Sequence, residues 1–248
     1  MSEPIFNSYP FGVAEKARLD HDGHILLPAL LTEATRERLV ESLGKVTGLI
    51  STLDPIPQRY SAEYDEFLAS IIAHPQMVQL ARSVLGDEIR YDHCVDLSRA
   101  GSSPALSWHT HGYADDQLEL GFIRIFFYVN GFKRGDGNLR VVPGSHHFRE
   151  GMRGSTDDEL YADWLTGKTH LYSGEPLEIE ELDVPVGSVI VMWTHALHAV
   201  APRLAESPTR WAVVYAYRNP GAPSHARWIS PSFEENPPTG AEGLMSLY

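Results

Sequence analysis

Two histidines one residue apart are the first residues of this chain that could do chemistry. They are His109 and His111, at the end of a short apolar run that begins at Leu106. If this run is a strand, its two-residue period places both imidazoles on one face. Two imidazoles on one face can bind one transition metal ion. Because the chain contains 12 histidines, the spacing alone is weak evidence, and a metal site needs a further ligand.

A later apolar segment supplies candidates for that further ligand. His195 and His198 both lie in it, and Arg210 opens the next apolar run. The two histidines have opposite parity, so both can face one metal only if the strand is broken. The planar guanidinium of an arginine binds a carboxylate through two parallel hydrogen bonds. Taken alone, Arg210 is more simply a solvated strand end, but near a metal it indicates an acidic ligand.

Composition excludes several other classes of function. The net charge of -13 argues against a nucleic-acid partner, because the protein would repel a phosphate backbone. The single cysteine, Cys94, excludes a disulfide framework or a cysteine-based zinc site within one chain. The chain lacks a signal-peptide start and an apolar run long enough to span a membrane. We therefore expect a cytoplasmic protein without a membrane partner.

Residues before Gly86 show the apolar period of helices. The pattern predicts an amphipathic helix over 33–47, a second helix capped by Ser61, and a third helix from Pro75 to Gly86. Residues 1–24 read as an irregular lead-in. These helices are expected to be scaffold.

After residue 86 the apolar period changes to two, and glycines and prolines separate short runs. Many short strands with turns between them are typical of a sandwich or barrel, and these runs would suffice for a jelly roll. The predicted strands are 89–98, 105–111, 121–130, 138–142, 177–183, 188–193, 197–200 and 210–218.

We expect one domain over 1–248, mainly β with flanking α-helices. Its parts are a helical scaffold at about 30–86, a β core at about 87–220, an insertion at about 150–175 and a tail at 221–248. Within the insertion, 155–170 is either a surface helix or a lid over a pocket. The tail either wraps the surface or contacts a second subunit, which leaves a homodimer open.

Alternation along the predicted strand 121–130 divides its side chains between two faces. Arg124 shares one face with Phe126 and Tyr128, whereas the opposite face is entirely apolar. The apolar face is the plainer core surface. Arg124 is therefore a candidate for the lining of a cavity.

Four segments together resemble the phytanoyl-CoA dioxygenase family of iron(II)- and 2-oxoglutarate-dependent oxygenases. They are Asp22 to Pro28, the Trp108-His109-x-His111 motif, Gly137 to His146 with its Val-Pro-Gly-Ser-His ending, and His198 with Arg210. The resemblance implies a double-stranded β-helix, the cupin-like jelly roll. It also implies Fe(II) bound by a facial triad, with 2-oxoglutarate as cosubstrate.

Residue by residue, the resemblance makes His109 the first metal ligand, His198 the distal one and Arg210 the arginine that binds the far carboxylate of 2-oxoglutarate. His111 stands where the family has an aspartate. Either His111 binds the metal, or it turns away and an acid such as Asp115 or Asp116 replaces it. Water or halide in that position, and a non-catalytic relative, are the remaining alternatives.

The cosubstrate contacts are expected to include His93, on the strand where the family places polar contacts, and Arg124. A structural role for His93 is an equal alternative. No catalytic residue is expected beyond the metal site. The implied activity is oxidation of a small-molecule metabolite, usually hydroxylation, with release of succinate and CO2. The alternatives are a three-histidine cupin-type metalloprotein that does not use 2-oxoglutarate and a non-catalytic small-molecule-binding relative.

Overall fold

Two five-stranded antiparallel sheets face each other in a computed structural model of the protein, which describes residues 3–9, 11–50, 56–111, 119–224 and 227–248. Helices flank the sheets, so the fold is the predicted jelly roll. Among the described residues, none of the helices combines the length and the apolar character that a membrane crossing requires.

The helices are short apart from α2 and α5. Their bounds are α1 Val13–Asp22, α2 Glu33–Ile50, α3 Ile56–Arg59, α4 Glu66–Ile72, α5 Pro75–Leu85, α6 Asp157–Glu159, α7 Pro231–Glu235 and α8 Glu242–Met245. The strands are β1 His24–Leu27, β2 Arg90–Asp96, β3 Leu106–His109, β4 Phe122–Tyr128, β5 Leu139–Val141, β6 Arg153–Ser155, β7 Glu180–Glu181, β8 Ser188–Trp193, β9 His198–Val200 and β10 Ala212–Arg218.

The first sheet has the strand order β1-β8-β4-β10-β2. Alternation along β4 sends Ile123, Ile125 and Phe127 into an apolar core shared with the helices. That core also buries Leu39 of α2 and Ile71 of α4. The helices therefore cover the outer face of this sheet and leave its inner face to the second sheet.

The second sheet has the order β6-β3-β9-β5-β7. Its strands are short, with two to four residues each. Between the sheets lies a second apolar cluster that includes Phe126 of β4, Leu139 of β5 and Val214 of β10. The space between the two sheets is therefore where side chains of β3, β4, β9 and β10 can meet.

The predicted irregular lead-in is wrong, because α1 occupies Val13–Asp22. Leu19 is the only buried residue that α1 contributes, so the sequence has no apolar stripe that would signal a helix. The prediction of Ser61 as a helix cap is also wrong. Ser61 begins a 3-10 turn, and the carboxylate of Asp65 caps α4 by accepting hydrogen bonds from two backbone N–H groups.

The insertion packs against the outer face of the second sheet. Leu160 and Trp164 share an apolar cluster with Trp108 of β3 and Leu197, which precedes β9. The Asp157 carboxylate accepts hydrogen bonds from the Trp108 indole at 2.7 Å and from Arg140 of β5 at 2.8 and 2.7 Å. Because Trp108 and His109 alternate along β3, the insertion lies on the face opposite the histidine.

Candidate metal centre

His109 and His198 come together through the pairing of β3 with β9. The two residues are register partners in this antiparallel pair, and their ring centroids lie 4.2 Å apart. Directly opposed residues of neighbouring strands project from the same face of the sheet. The two imidazoles therefore enter the space between the sheets side by side.

His111 joins them from the segment that follows β3. The expected strand 105–111 is too long, because β3 ends at His109. The backbone N–H of His111 donates to the carbonyl of Thr194 at 3.1 Å, and the Thr194 hydroxyl donates to the carbonyl of His111 at 3.2 Å. The His111 ring centroid lies 4.9 Å from that of His109 and 5.0 Å from that of His198. One nitrogen of each of the three rings lies within 4.8 Å of the others, which is a spacing that one metal ion can bridge.

Backbone carbonyls orient two of the three rings. Nδ1 of His109 donates to the carbonyl of Ser107 at 2.7 Å, and Nδ1 of His198 donates to the carbonyl of Ala196 at 2.9 Å. A carbonyl can only accept, so Nδ1 carries the proton in both rings and Nε2 keeps its lone pair. This is the hydrogen bonding that typically fixes a metal-binding histidine.

The protein environment keeps these imidazoles neutral. Burial lowers the pKa of His109, although its hydrogen bond to Ser107 opposes the shift. Burial also lowers the pKa of His111 and of His198 well below the usual value, with Arg124 adding to both shifts. Neutral imidazole is the form that binds a metal, so the site does not have to lose protons before binding at neutral pH.

The three histidines line a cavity of about 300 Å³ between the sheets. Its walls are largely apolar, and no acidic side chain is among the described residues that line it. The charged side chains in the lining are Arg99, Arg124 and Arg210. The arrangement combines a potential metal site with positive charge in one small, mostly dry space.

Arg210 lies two residues before the start of β10 and is only 3% exposed. It donates to the carbonyl of Gly137, and its guanidinium carbon lies 5.7 Å from the ring centroid of Tyr128 and 5.5 Å from that of Phe132. Burial lowers the pKa of Arg210 to about 10, so the side chain remains a cation at neutral pH. Its Nε is buried and has no hydrogen-bond partner within the described residues.

Arg124 lies on β4 with Phe126 and Tyr128, and all three line the cavity. The alternation of this strand predicts this face. Arg124 is 5% exposed, and its positive charge contributes to the lowered pKa of all three clustered histidines. It is therefore close enough to influence any ion bound there.

His93 and His195 are not among the described residues that line the cavity. His93 is completely buried, its Nδ1 lies 2.7 Å from Asp92 Oδ1, and its ring packs against Phe122 and Trp228. These contacts suit the structural alternative for His93. Asp115 and Asp116, the alternative acids to His111, lie outside the described residues.

Arg99 is the cavity residue that the sequence interpretation missed. It lies beyond the end of β2 with the same parity as Val95 and Leu97, both of which pack into the cluster between the sheets. Extending the two-residue alternation past the strand end would have placed Arg99 on the inner face.

A second histidine cluster does not offer a comparable metal site. His21, Asp22 and His170 also have potential ligand atoms within 4.8 Å of one another. However, Nε2 of His170 donates to the carbonyl of His21 at 3.0 Å, and its Nδ1 accepts from the backbone N–H of Tyr172 at 3.3 Å. Both ring nitrogens are occupied, so His170 has no lone pair for a metal.

No family model matches the chain, and no curated protein matches it. Among solved structures, EctD from S. alaskensis with bound Fe is similar at 18% sequence identity and a TM-score of 0.68, over 89% of this chain and 84% of that one. HygX from Streptomyces hygroscopicus with iron bound is similar at 17% identity and a TM-score of 0.61, over 84% of this chain and 87% of that one. An apo structure of ThoJ, a non-heme monooxygenase, is similar at 17% identity and a TM-score of 0.64, over 84% of this chain and 78% of that one. At these identities the comparisons show a shared fold.

Proposed function

We propose that this protein is an Fe(II)- and 2-oxoglutarate-dependent oxygenase that oxidises a small-molecule metabolite, usually by hydroxylation. The observation that carries the proposal is the presence of three clustered histidines and the buried Arg210 in the lining of one cavity. A metal site alone would fit many cupin-type proteins. A buried arginine with an unsatisfied Nε, in the same cavity, suits a cosubstrate that has a second carboxylate.

His109, His111 and His198 would hold the iron, and their chemistry fits it, because imidazole is a common ligand of iron. Three neutral histidines bring no negative charge, so the bound ion would keep its full double positive charge. Arg124 adds a further positive charge nearby. A dianionic cosubstrate would therefore be attracted more strongly than in a site with a carboxylate ligand.

Arg210 would bind the far carboxylate of 2-oxoglutarate. Its desolvated guanidinium is held by the Gly137 carbonyl and packed against Tyr128 and Phe132. An arginine fixed in this way loses little freedom on binding, which favours affinity. EctD, which shares the fold, has been crystallised with 2-oxoglutarate and 5-hydroxyectoine, which supports this choice of cosubstrate.

When bound, iron would supply the oxidising chemistry with dioxygen as the oxidant: one oxygen atom would go into succinate as 2-oxoglutarate loses CO2, and the other would oxidise the substrate. The chain itself contributes orientation and exclusion of water. The carbonyls of Ser107 and Ala196 hold two imidazoles with Nε2 free. Apolar side chains such as Phe126, Leu139 and Val200 line the cavity and limit its hydration.

A second candidate function is favoured by the all-histidine donor set. Some cupin-type enzymes bind a divalent metal through histidines without a keto acid, and His111 in place of an acid fits that class.

One experiment separates the oxygenase from the cupin-type alternative. It measures oxygen-dependent formation of succinate from 2-oxoglutarate by the iron-loaded protein, in the presence of a pooled metabolite extract. The oxygenase makes succinate only when iron, oxygen and 2-oxoglutarate are all present. The cupin-type alternative makes none in any combination.

A further inference from the structure

Arg99 lies directly opposite Arg210 across two paired backbones. The N–H of Arg99 donates to the carbonyl of Arg210 at 2.9 Å, and the N–H of Arg210 donates to the carbonyl of Arg99 at 2.8 Å. Residues that exchange both hydrogen bonds have Cα atoms roughly 5.5 Å apart and side chains on one face. Both side chains line the cavity.

Two like charges in this position oppose each other. Directly opposed like charges destabilise a strand pair, and Arg99 contributes to the lowered pKa of Arg210. Burial is the main reason why the pKa of Arg99 itself is lowered. A protein that keeps two cations together in a desolvated space gains most when anions bind them.

The side chain of Arg99 has two hydrogen-bond donors without a partner within the described residues. Nη2 donates to the carbonyl of Pro104, but Nε and Nη1 are buried and have no hydrogen-bond partner within the described residues. An unsatisfied buried donor is costly, particularly on a charged group. The guanidinium charge of Arg99 is therefore not balanced by an acid among the described residues that line the cavity.

Asp136, an acid whose charge acts on Arg210, is already paired. The carboxylate of Asp136 accepts hydrogen bonds from Arg203 Nη1 at 2.9 Å, from the N–H of Leu204 at 2.9 Å and from the hydroxyl of Ser207 at 2.6 Å. Asp136 is not among the described residues that line the cavity. Among the described residues that line the cavity, none therefore supplies an anion for Arg99.

We propose that Arg99 binds an anionic group of the substrate, which would be a small and otherwise largely apolar molecule with a carboxylate or a phosphate. The inference rests on the proposed function, because it assigns one carboxylate of 2-oxoglutarate to the metal and the other to Arg210. Apolar walls that include Leu97, Leu106 and Phe126 suit the remainder of such a molecule. A volume of about 300 Å³ is at the small end of ligand pockets, which limits the size of that remainder.

The test uses the Fe(II)-loaded full chain with saturating 2-oxoglutarate and without oxygen. Hexanoate, hexyl phosphate and the neutral hexanamide are titrated by calorimetry, while the visible charge-transfer band reports that the chelate is intact. We expect one of the two anions to bind ~10-fold or more tightly than the amide. Whichever anion binds more tightly, the carboxylate or the phosphate, identifies the anionic group that Arg99 prefers. Arg99→Gln removes this preference and Arg99→Lys keeps part of it. Arg134→Gln, which removes an exposed arginine paired with Asp183, keeps all of it.

Equal binding of the amide and both anions by the wild-type protein overturns the inference, and this result does not require a variant to fold. A 2-oxoglutarate dissociation constant raised ~10-fold or more by Arg99→Gln also overturns it, because Arg99 would then belong to the cosubstrate site. If the wild-type protein binds iron but shows no chelate band, the proposed function fails and the inference fails with it. An intact band without anion preference rejects the inference alone.

Discussion

His109 and His198 are register partners on β3 and β9, with ring centroids 4.2 Å apart. Each donates its Nδ1 proton to the carbonyl of the residue two positions earlier, Ser107 and Ala196 respectively. Strand pairing therefore brings the rings together, and local backbone bonds turn both lone pairs outward from the strands. Pairing within the second sheet thus brings together two of the three histidines of the candidate metal site.

Removing His198 is expected to weaken Fe(II) binding ~100-fold or more, because a ligand contributes at least as much as the outer-shell partners of metal ligands. Anaerobic iron titration of His198→Ala measures this loss. His195→Ala is the matched control: His195 precedes the same strand and is similarly buried, but it does not line the cavity. Equal weakening by both variants would show that the effect is structural and would contradict the assignment of His198.

Changing His111 to Asp is expected to shift the affinity for Fe(II) and the affinity for 2-oxoglutarate in opposite directions. The added negative charge attracts Fe(II) and repels the dianion 2-oxoglutarate, so iron binds more tightly and the cosubstrate ~10-fold more weakly. Anaerobic titrations of iron and then of 2-oxoglutarate measure both constants. If neither constant changes, His111 is not a metal ligand, and an acid outside the described residues becomes the better candidate.

Asp157 is expected to stabilise the fold without affecting the cavity. Asp157→Ala removes the acceptor of the Trp108 indole N–H and of two Arg140 N–H groups, while Arg140 keeps its ion pair with Glu181. The expected cost is about 1–2 kcal/mol of unfolding free energy, measured by urea denaturation. The dissociation constant for 2-oxoglutarate should not change, since the insertion packs on the opposite face of the sheet. Asp158→Ala, at an exposed neighbouring position, is the control. Weaker cosubstrate binding by Asp157→Ala would favour the interpretation of the insertion as a lid.

His146 is expected to make the protein less stable in acid. Burial lowers its pKa to about 3, and its Nε2 donates to the carbonyl of Asp20 at 3.0 Å. Between the unfolded pKa of about 6.5 and the folded value, the unfolded chain binds a proton that the folded protein does not. The contribution of the neutral His146 side chain to stability is therefore fully present above pH 6.5, and it is lost as pH decreases toward 3.

Urea unfolding of wild-type protein and His146→Gln at about pH 8 and about pH 5 tests this linkage. The wild type should lose about 1–2 kcal/mol more than the variant between the two values, because each pH unit contributes about 1.4 kcal/mol per group. Histidines remote from His146 that have a lowered pKa, such as His109, are expected to contribute equally in both proteins. Parallel losses in the two proteins would contradict the assignment.

Strands β2, β4, β8 and β10 of the first sheet all lie within runs that could be predicted from the sequence. The run 188–193 coincides with β8, and the alternation of 121–130 separates the cavity face of β4 from its helix-packed face. The helix α1 could not be predicted in this way, since it buries only Leu19. Its place depends on contacts with β1 and β8 rather than on its own pattern.

The meeting of His109 and His198 at one place in the fold was less predictable. Nothing local to His198 indicates that it pairs with His109, because the register of β3 and β9 is set by the whole jelly roll. Only the family resemblance placed both residues at one metal. Arg99 was missed for a different reason, because it follows the end of β2 and lies one residue beyond the predicted strand 89–98. Its backbone pairing with Arg210, which lies far away in the sequence, is what only the fold shows.

The most direct test of the proposed function is anaerobic titration of the Fe(II)-loaded protein with 2-oxoglutarate, monitored in the visible spectrum. The account predicts a saturable charge-transfer band in the wild type. In Arg210→Gln the band should need ~10- to 100-fold more 2-oxoglutarate, the loss expected for a charge-assisted hydrogen-bonded pair, whereas Arg134→Gln should match the wild type. A wild-type protein that binds iron but shows no band at any 2-oxoglutarate concentration would contradict the account.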